Sequence, residues 1–285
     1  MIFLREKEKK GITLIALVIT IIVLLILAGV TIAALSGENG ILQNAARAKE
    51  KTEKETDVET IKLAISEAQI GENGHQNLNL NNLQEALEKQ FSKKDVVALD
   101  NGDGTFNVNL DDKIYKIDKN EVKEMQIDLY INNEEDLKKF RDEVNSGNDY
   151  DRKNIILKNN IAISEEWTPI GLNDNGFKGN FYGNNKSITV SINSKNDGIG
   201  VFSENYGNIY SLNILGNIVG NDFVAGVVAK NYGNIVNCSN SATIQSNSTS
   251  NNPYIGGVVG KSFAGNILNC YNSGNVIQKK HLLEE

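Results

Sequence analysis

The chain has 285 residues, with 29 Lys and Arg against 36 Asp and Glu, for a formal charge of −7. That acidic balance gives no support to nucleic-acid binding, and two His with two Cys supply too few ligands for an ordinary zinc site. No metal or other cofactor is expected, and the length exceeds one ordinary domain.

Residues 1–11 form a basic leader, with Arg5, Lys7, Lys9 and Lys10 against Glu6 and Glu8. From Ile12 to Leu35 there are 24 residues without a charge. A helix of that length rises roughly 36 Å, enough for a hydrocarbon core about 30 Å thick. The expectation is a transmembrane helix over 12–36 with the lipid bilayer as partner. Positive charge stays in the cytoplasm, so the protein reads as single-pass in a bacterial cytoplasmic membrane. Its N-terminus would be inside, and its C-terminal part outside at the cell surface. A signal peptide would have an apolar stretch of only about 7–15 residues.

The sequence Lys9-Lys10-Gly11-Ile12-Thr13-Leu14-Ile15 resembles the processing site of type IV prepilins and pseudopilins. The resemblance implies cleavage by a prepilin peptidase between Gly11 and Ile12, with Thr13 and Leu14 next in the motif. It also implies other pilin-like subunits as partners, and a pilus-associated protein. The chain departs from that family at Ala16, where a Glu helps subunits dock. A plain uncleaved anchor is the alternative.

Gly37-Glu38-Asn39-Gly40 interrupts the first helix, and a stalk helix within 37–72 follows, from about Ile41 to Ile70. Its distal end carries Val58, Ile61, Ile65 and Ala68 on one helical stripe. Residues 73–126 read as a small α+β headpiece. It has a helix over Asn81–Phe91 and strands over Val96–Leu99, Thr105–Leu110 and Lys113–Ile117. Asn101-Gly102-Asp103-Gly104 is a hairpin turn, lacking the alternating acids of a calcium loop.

A last helix is expected over Glu134–Val144, with Leu137, Phe140 and Val144 on one face. Beyond it the chain changes character: Asn supplies 30 of the 155 residues after Tyr130, which favours turns over helix. Gly200-Val-Phe-Ser-Glu-Asn-Tyr-Gly-Asn-Ile209 and Gly226-Val-Val-Ala-Lys-Asn-Tyr-Gly-Asn-Ile235 are copies 26 residues apart. Gly257-Val-Val-Gly-Lys-Ser-Phe-Ala-Gly-Asn-Ile267 is a third copy with one residue inserted. One such unit cannot bury its own apolar face, whereas stacked units can. These units resemble the GLUG repeat of bacterial surface proteins, and Trp167-Thr-Pro-Ile-Gly171 with Phe177–Gly183 resembles its lead-in. The resemblance implies a right-handed parallel β-helix over 127–280, followed by a tail over 281–285. The fold class expected is thus a long N-terminal transmembrane, pilin-like α-helix with a small α+β headpiece, then an all-β parallel solenoid.

Cys238 and Cys270 share one repeat slot, occupied by Leu212 in the first copy, so the slot points inward. A buried pair of thiols is the first reading, and a disulfide between adjacent coils is the second. Tyr206, Tyr232 and Phe263 recur just before the Gly-Asn turn, as a packed corner or a ligand-binding stack. The loop Gln245–Tyr254, which includes Asn251, carries the extra residues between the second and third copies and adds Asn251 and Tyr254 as candidate contacts. Between Phe223 and Leu283 there is no Asp or Glu, so the carboxylate cluster of a polysaccharide-cleaving enzyme is missing there. No catalytic residue is assigned. The expected function is adhesion or surface interaction with an unknown glycan or protein. A structural minor-pilin spacer or cap and a polysaccharide-acting enzyme are the alternatives.

Overall fold

A computed structural model of the chain describes residues 14–36, 40–71, 74–75, 77–92, 94, 96–111, 113–250 and 252–279. The chain divides into two compact units, Met1–Thr60 and Ile61–Glu285. The first holds helix α1 (Leu14–Ser36) and the larger part of α2 (Ile41–Gln69).

The second unit opens on the last turns of α2, where Ile61, Ala64, Ile65 and Ala68 are buried. Helix α3 (Leu80–Gln90) is capped by Asn79, whose side chain accepts from Asn82 N, and buries Leu83, Ala86 and Leu87. A four-stranded antiparallel sheet follows in sequence order: Val96–Asp100, Thr105–Leu110, Lys113–Asp118 and Glu121–Glu124. In the first turn, Asp100 Oδ1 accepts from Gly102 N and Asp103 Oδ1 from Thr105 N. The loop acids therefore serve the turn itself.

The rest is parallel. One six-stranded sheet runs in order through Leu129–Ile131, Asn154–Leu157, Asn180–Tyr182, Asn208–Tyr210, Asn234–Val236 and Ile267–Leu268. A seven-stranded sheet is built around Ser187–Asn193 and Asn213–Gly220. A three-stranded sheet pairs Phe202–Asn205 with Val228–Asn231, and that strand with Val259–Ser262. Partners are one repeat apart: Ile209 pairs with Ile235, and Ile235 with Ile267.

The side chains between these sheets make one core, from Ile131 to Ile244. At its start Phe177 and Phe202 lie 5.7 Å apart, Phe181 and Phe202 5.4 Å, and Phe140 of helix α4 (Glu134–Asn145) 5.6 Å from Phe177. Two amide ladders tie the layers together. On the outside, Asn180, Asn208 and Asn234 each donate to the Asn one layer back, at 2.9, 2.7 and 2.8 Å. Inside, fully buried Asn205 donates to Asn231 at 2.9 Å, and Asn231 to Ser262 Oγ at 3.3 Å. The Gly of the Gly-Asn turn is required by close approach. A Cβ on Gly233 would come 1.9 Å from the Gly207 carbonyl oxygen.

Three expectations are corrected. Among the described residues the protein is mostly β with four helices, and its parallel strands lie in separate sheets rather than one closed solenoid. There is no single long pilin-like helix, because α1 and α2 are separate, with Gly40 outside both. Among the described residues no helix is long and apolar enough to cross a membrane, which overturns the span over 12–36 and the single-pass location.

Candidate functional site

The repeat places one aromatic residue per layer on the outer surface. Each is fixed by the same backbone bond to the layer before it. Tyr206 N donates to Phe177 O at 2.7 Å, Tyr232 N to Asn205 O at 2.8 Å and Phe263 N to Asn231 O at 2.7 Å. Held this way, the rings stack nearly parallel. Tyr206 and Tyr232 are 4.5 Å apart at 4°, and Tyr232 and Phe263 are 4.8 Å apart at 7°. Gly176 runs close beside Tyr206, since a Cβ there would come 2.4 Å from its ring. Tyr206 and Phe263 remain 43% and 48% exposed, so what the ladder mainly offers is its ring edges and hydroxyls.

Two residues before each ring lies a charged row in register: Glu204 opposite Lys230, and Lys230 opposite Lys261. Lys230 pairs with Glu204 at 3.0 Å, and the Tyr206 hydroxyl donates to the same carboxylate at 3.5 Å. Burial, then the Glu204 charge, pushes the Tyr206 phenol above its ordinary pKa, so it stays a protonated donor. Across the row is a second aromatic pair, Phe223 and Tyr254, with centroids 4.9 Å apart. The Lys261 ammonium joins the two walls, lying 4.0 Å from the Tyr254 ring centre and 4.7 Å from that of Phe263. Phe223 holds φ at 55°, a left-handed conformation rare for an aromatic residue and found where structure over-determines it.

The sequence candidates fall differently into this picture. Tyr206, Tyr232, Phe263 and Tyr254 come together on one face. Asn251 lies outside the described residues, as do Gly11, Ile12 and Thr13, while Leu14 opens α1. The first half of the inserted loop does not project: Ser246 and Ser248 are buried, each hydroxyl accepting from the backbone two residues on. Cys238 and Cys270 occupy adjacent layers and both are free. Cys238 N donates to Cys270 Sγ at 3.4 Å, and Cys238 is fully buried.

Lys230 and Lys261 are functional candidates the sequence reading misses although their signal is there, at a fixed offset two residues before an aromatic, as Glu204 is before Tyr206. Phe223 lies outside the repeated block and had no such signal. Three other acids serve structure: Glu165 pairs with Lys138 at 2.7 Å, Glu166 accepts from Asn193 N, and Asp197 accepts from Asn221 and Asp222. Among the described residues no group of three or more His, Cys, Asp or Glu could hold a metal ion.

Residues 251–277 match the GLUG motif. No curated protein matches the sequence. Among solved structures, a "putative immunoglobulin A1 protease" from Bacteroides ovatus is similar at 18% identity, over 51% of this chain and 56% of that one, with a TM-score of 0.39. The chain thus spans little more than half the length of that protein. No relative supports the prepilin processing motif read at Gly11–Leu14. With no membrane-crossing helix among the described residues, the pilin-like reading is withdrawn.

Proposed function

We propose that this chain is a β-rich surface or secreted protein that binds carbohydrate without catalysis, through the face formed by the aromatic ladder and its lysine row. The observation that carries this is the repetition of one surface ring per layer, held in register by an identical backbone bond each time. Side chains that only filled a corner would not need a second aromatic wall and a cation between them. The GLUG match over residues 251–277 includes Tyr254, Lys261 and Phe263, and Glu204 in the same face is engaged by Lys230 and the Tyr206 hydroxyl. The periodicity of the face suits a polymer with a periodic backbone.

The test is a glycan-array screen with the full chain, followed by Phe263→Ala and Tyr254→Ala. Both residues sit at the exposed end of the face, 48% and 40% exposed, so the fold should survive their truncation. Affinity for the retained glycan should fall at least about tenfold, ~1.4 kcal/mol, with an unchanged melting temperature. An empty array, or variants that bind as the parent does, would remove this reading.

A further inference from the structure

We infer that the ligand of this face is an anionic polysaccharide, whose carboxylate or sulfate groups are received by Lys261 between Phe263 and Tyr254. The inference rests on the carbohydrate reading and narrows it. It starts from what the aromatic rings have left to give. Both faces of Tyr232 are taken by its neighbours in the ladder, and Tyr206 gives one face to Tyr232. The π-cloud of Tyr254 is shared between Phe223 and the Lys261 ammonium. The negative faces, which would hold a cationic ligand, are therefore largely occupied from within.

What points outward is donor in character. Ring edges carry the positive end of the quadrupole. The hydroxyls of Tyr232 and Tyr254 and the ammonium of Lys261 add conventional donors. Glu204 is the acceptor in the row, and it is answered by Lys230 and by the Tyr206 hydroxyl. Lys261 has no ion pair among the described residues, so its charge is held in place by rings and not neutralised. Asp222, next to Phe223, pairs with neither lysine among the described residues. A surface of donors with one unneutralised cation selects an acceptor-rich, negatively charged partner.

The charge distribution of the chain agrees. The net charge is −7, yet no Asp or Glu occurs between Phe223 and Leu283, where Lys230, Lys261 and Lys279 lie. The layers that bear the open end of the face are thus locally positive on an acidic protein. The acidic remainder repels polyanions in general and leaves attraction to this end alone.

Three polymers with one backbone provide the test: dextran, carboxymethyl-dextran and dextran sulfate, with poly-glutamate as a polyanion lacking sugar. Titrated into the full-length protein, the two charged dextrans should bind at least about tenfold more tightly than dextran. That advantage should shrink in about 0.5 M salt. Lys261→Met keeps much of the apolar stem and removes the charge; it should abolish the advantage of the charged dextrans over dextran. Carboxylate and sulfate sources are separated by which derivative binds more tightly. If dextran binds as well as its charged derivatives, the anionic inference fails while the carbohydrate reading stands. If none of the three binds, both fail. Equal binding of poly-glutamate would reduce the site to a charge patch and overturn the saccharide requirement. Parent-like binding of charged dextrans by Lys261→Met would remove the assigned site.

Discussion

At the scale of single residues, Glu134 is a point where three donors converge. Its carboxylate receives Lys138 Nζ at 2.8 Å, Ser164 N at 2.9 Å and Ser164 Oγ at 2.8 Å. The lysine bond, then the two serine bonds, lowers its pKa from 4.5 to about 2. A folded pKa below the unfolded one gives stability that is present above about 4.5 and lost as pH falls towards 2. The melting-temperature advantage of the parent over Glu134→Gln should therefore be full at neutral pH and gone near pH 2. Thermal unfolding across that range checks it, and an advantage that grew on acidification would contradict the assignment. The two thiols make a second case. Burial pushes Cys238 up, while the bond with Cys238 pulls Cys270 down. Alkylation under native conditions should label Cys270 well before Cys238, and peptide mapping after brief iodoacetamide treatment reads the order. The shared slot of these cysteines was legible from Leu212 in the first copy. Which of them is the more acidic was not, because that depends on a bond between layers.

Among elements, the inner and outer amide ladders use the same residue type with different stakes. Asn231 accepts from Asn205 Nδ2 and from Gly233 N, and donates to Gly233 O, all in the buried interior. Asn231→Ala strands those groups without water, at roughly 1–3 kcal/mol for each unmet one. A loss on the order of 2–4 kcal/mol is expected in chemical denaturation. Asn234→Ala on the partly exposed outer ladder leaves groups that water can reach and should cost less than about 1 kcal/mol. Equal losses would mean that burial is not what separates the two ladders.

The helices α2, α3 and α4 could be read from sequence to within a residue or two, because each carries an apolar stripe and Asn caps the last two. The strand Glu121–Glu124 could not. Its only apolar residue is Val122, and its strand character comes from pairing with Lys113–Asp118. The N-terminal apolar run misled in the other direction, since hydropathy was read as a membrane span and a short motif as a pilin. The candidate face was half legible: its aromatic ladder stood out in the repeats, while the second wall arises from the long-range placement of Phe223 on Tyr254.

At the scale of the whole second unit, two aromatic ladders lie on the outside of the layers and meet different fates. Tyr182 and Tyr210 stack at 5.0 Å and 9°. The antiparallel sheet covers them, through a cluster of Ile114, Ile156 and Tyr182 with Met125 and Ile127 packed alongside. Tyr182 is buried, whereas Tyr206 and Phe263 are half-exposed. Removing the covered ladder with Tyr182→Ala and Tyr210→Ala should loosen the antiparallel sheet from the layers. Hydrogen exchange would then rise across residues 96–124 while protection of 180–240 persists. Uniform loss of protection would mean that sheet and layers unfold as one.

The nearly constant distance along the chain between paired strands has a kinetic meaning. From Ile155 to Phe181, Ile209 and Ile235, each strand finds its partner 26 to 28 residues away. Each layer therefore closes a loop of almost the same length, and closure entropy varies only slowly with length. Once the phenylalanine cluster and α4 have formed a first seam, every later layer can add to a finished template at much the same cost. Growth then resembles the elongation of a filament within a single molecule. The step into the last layer departs from that rhythm, since Ile235 reaches 32 residues to Ile267 and its segment must first order the serine turns of the inserted loop. That layer is the one expected to join last and to leave first.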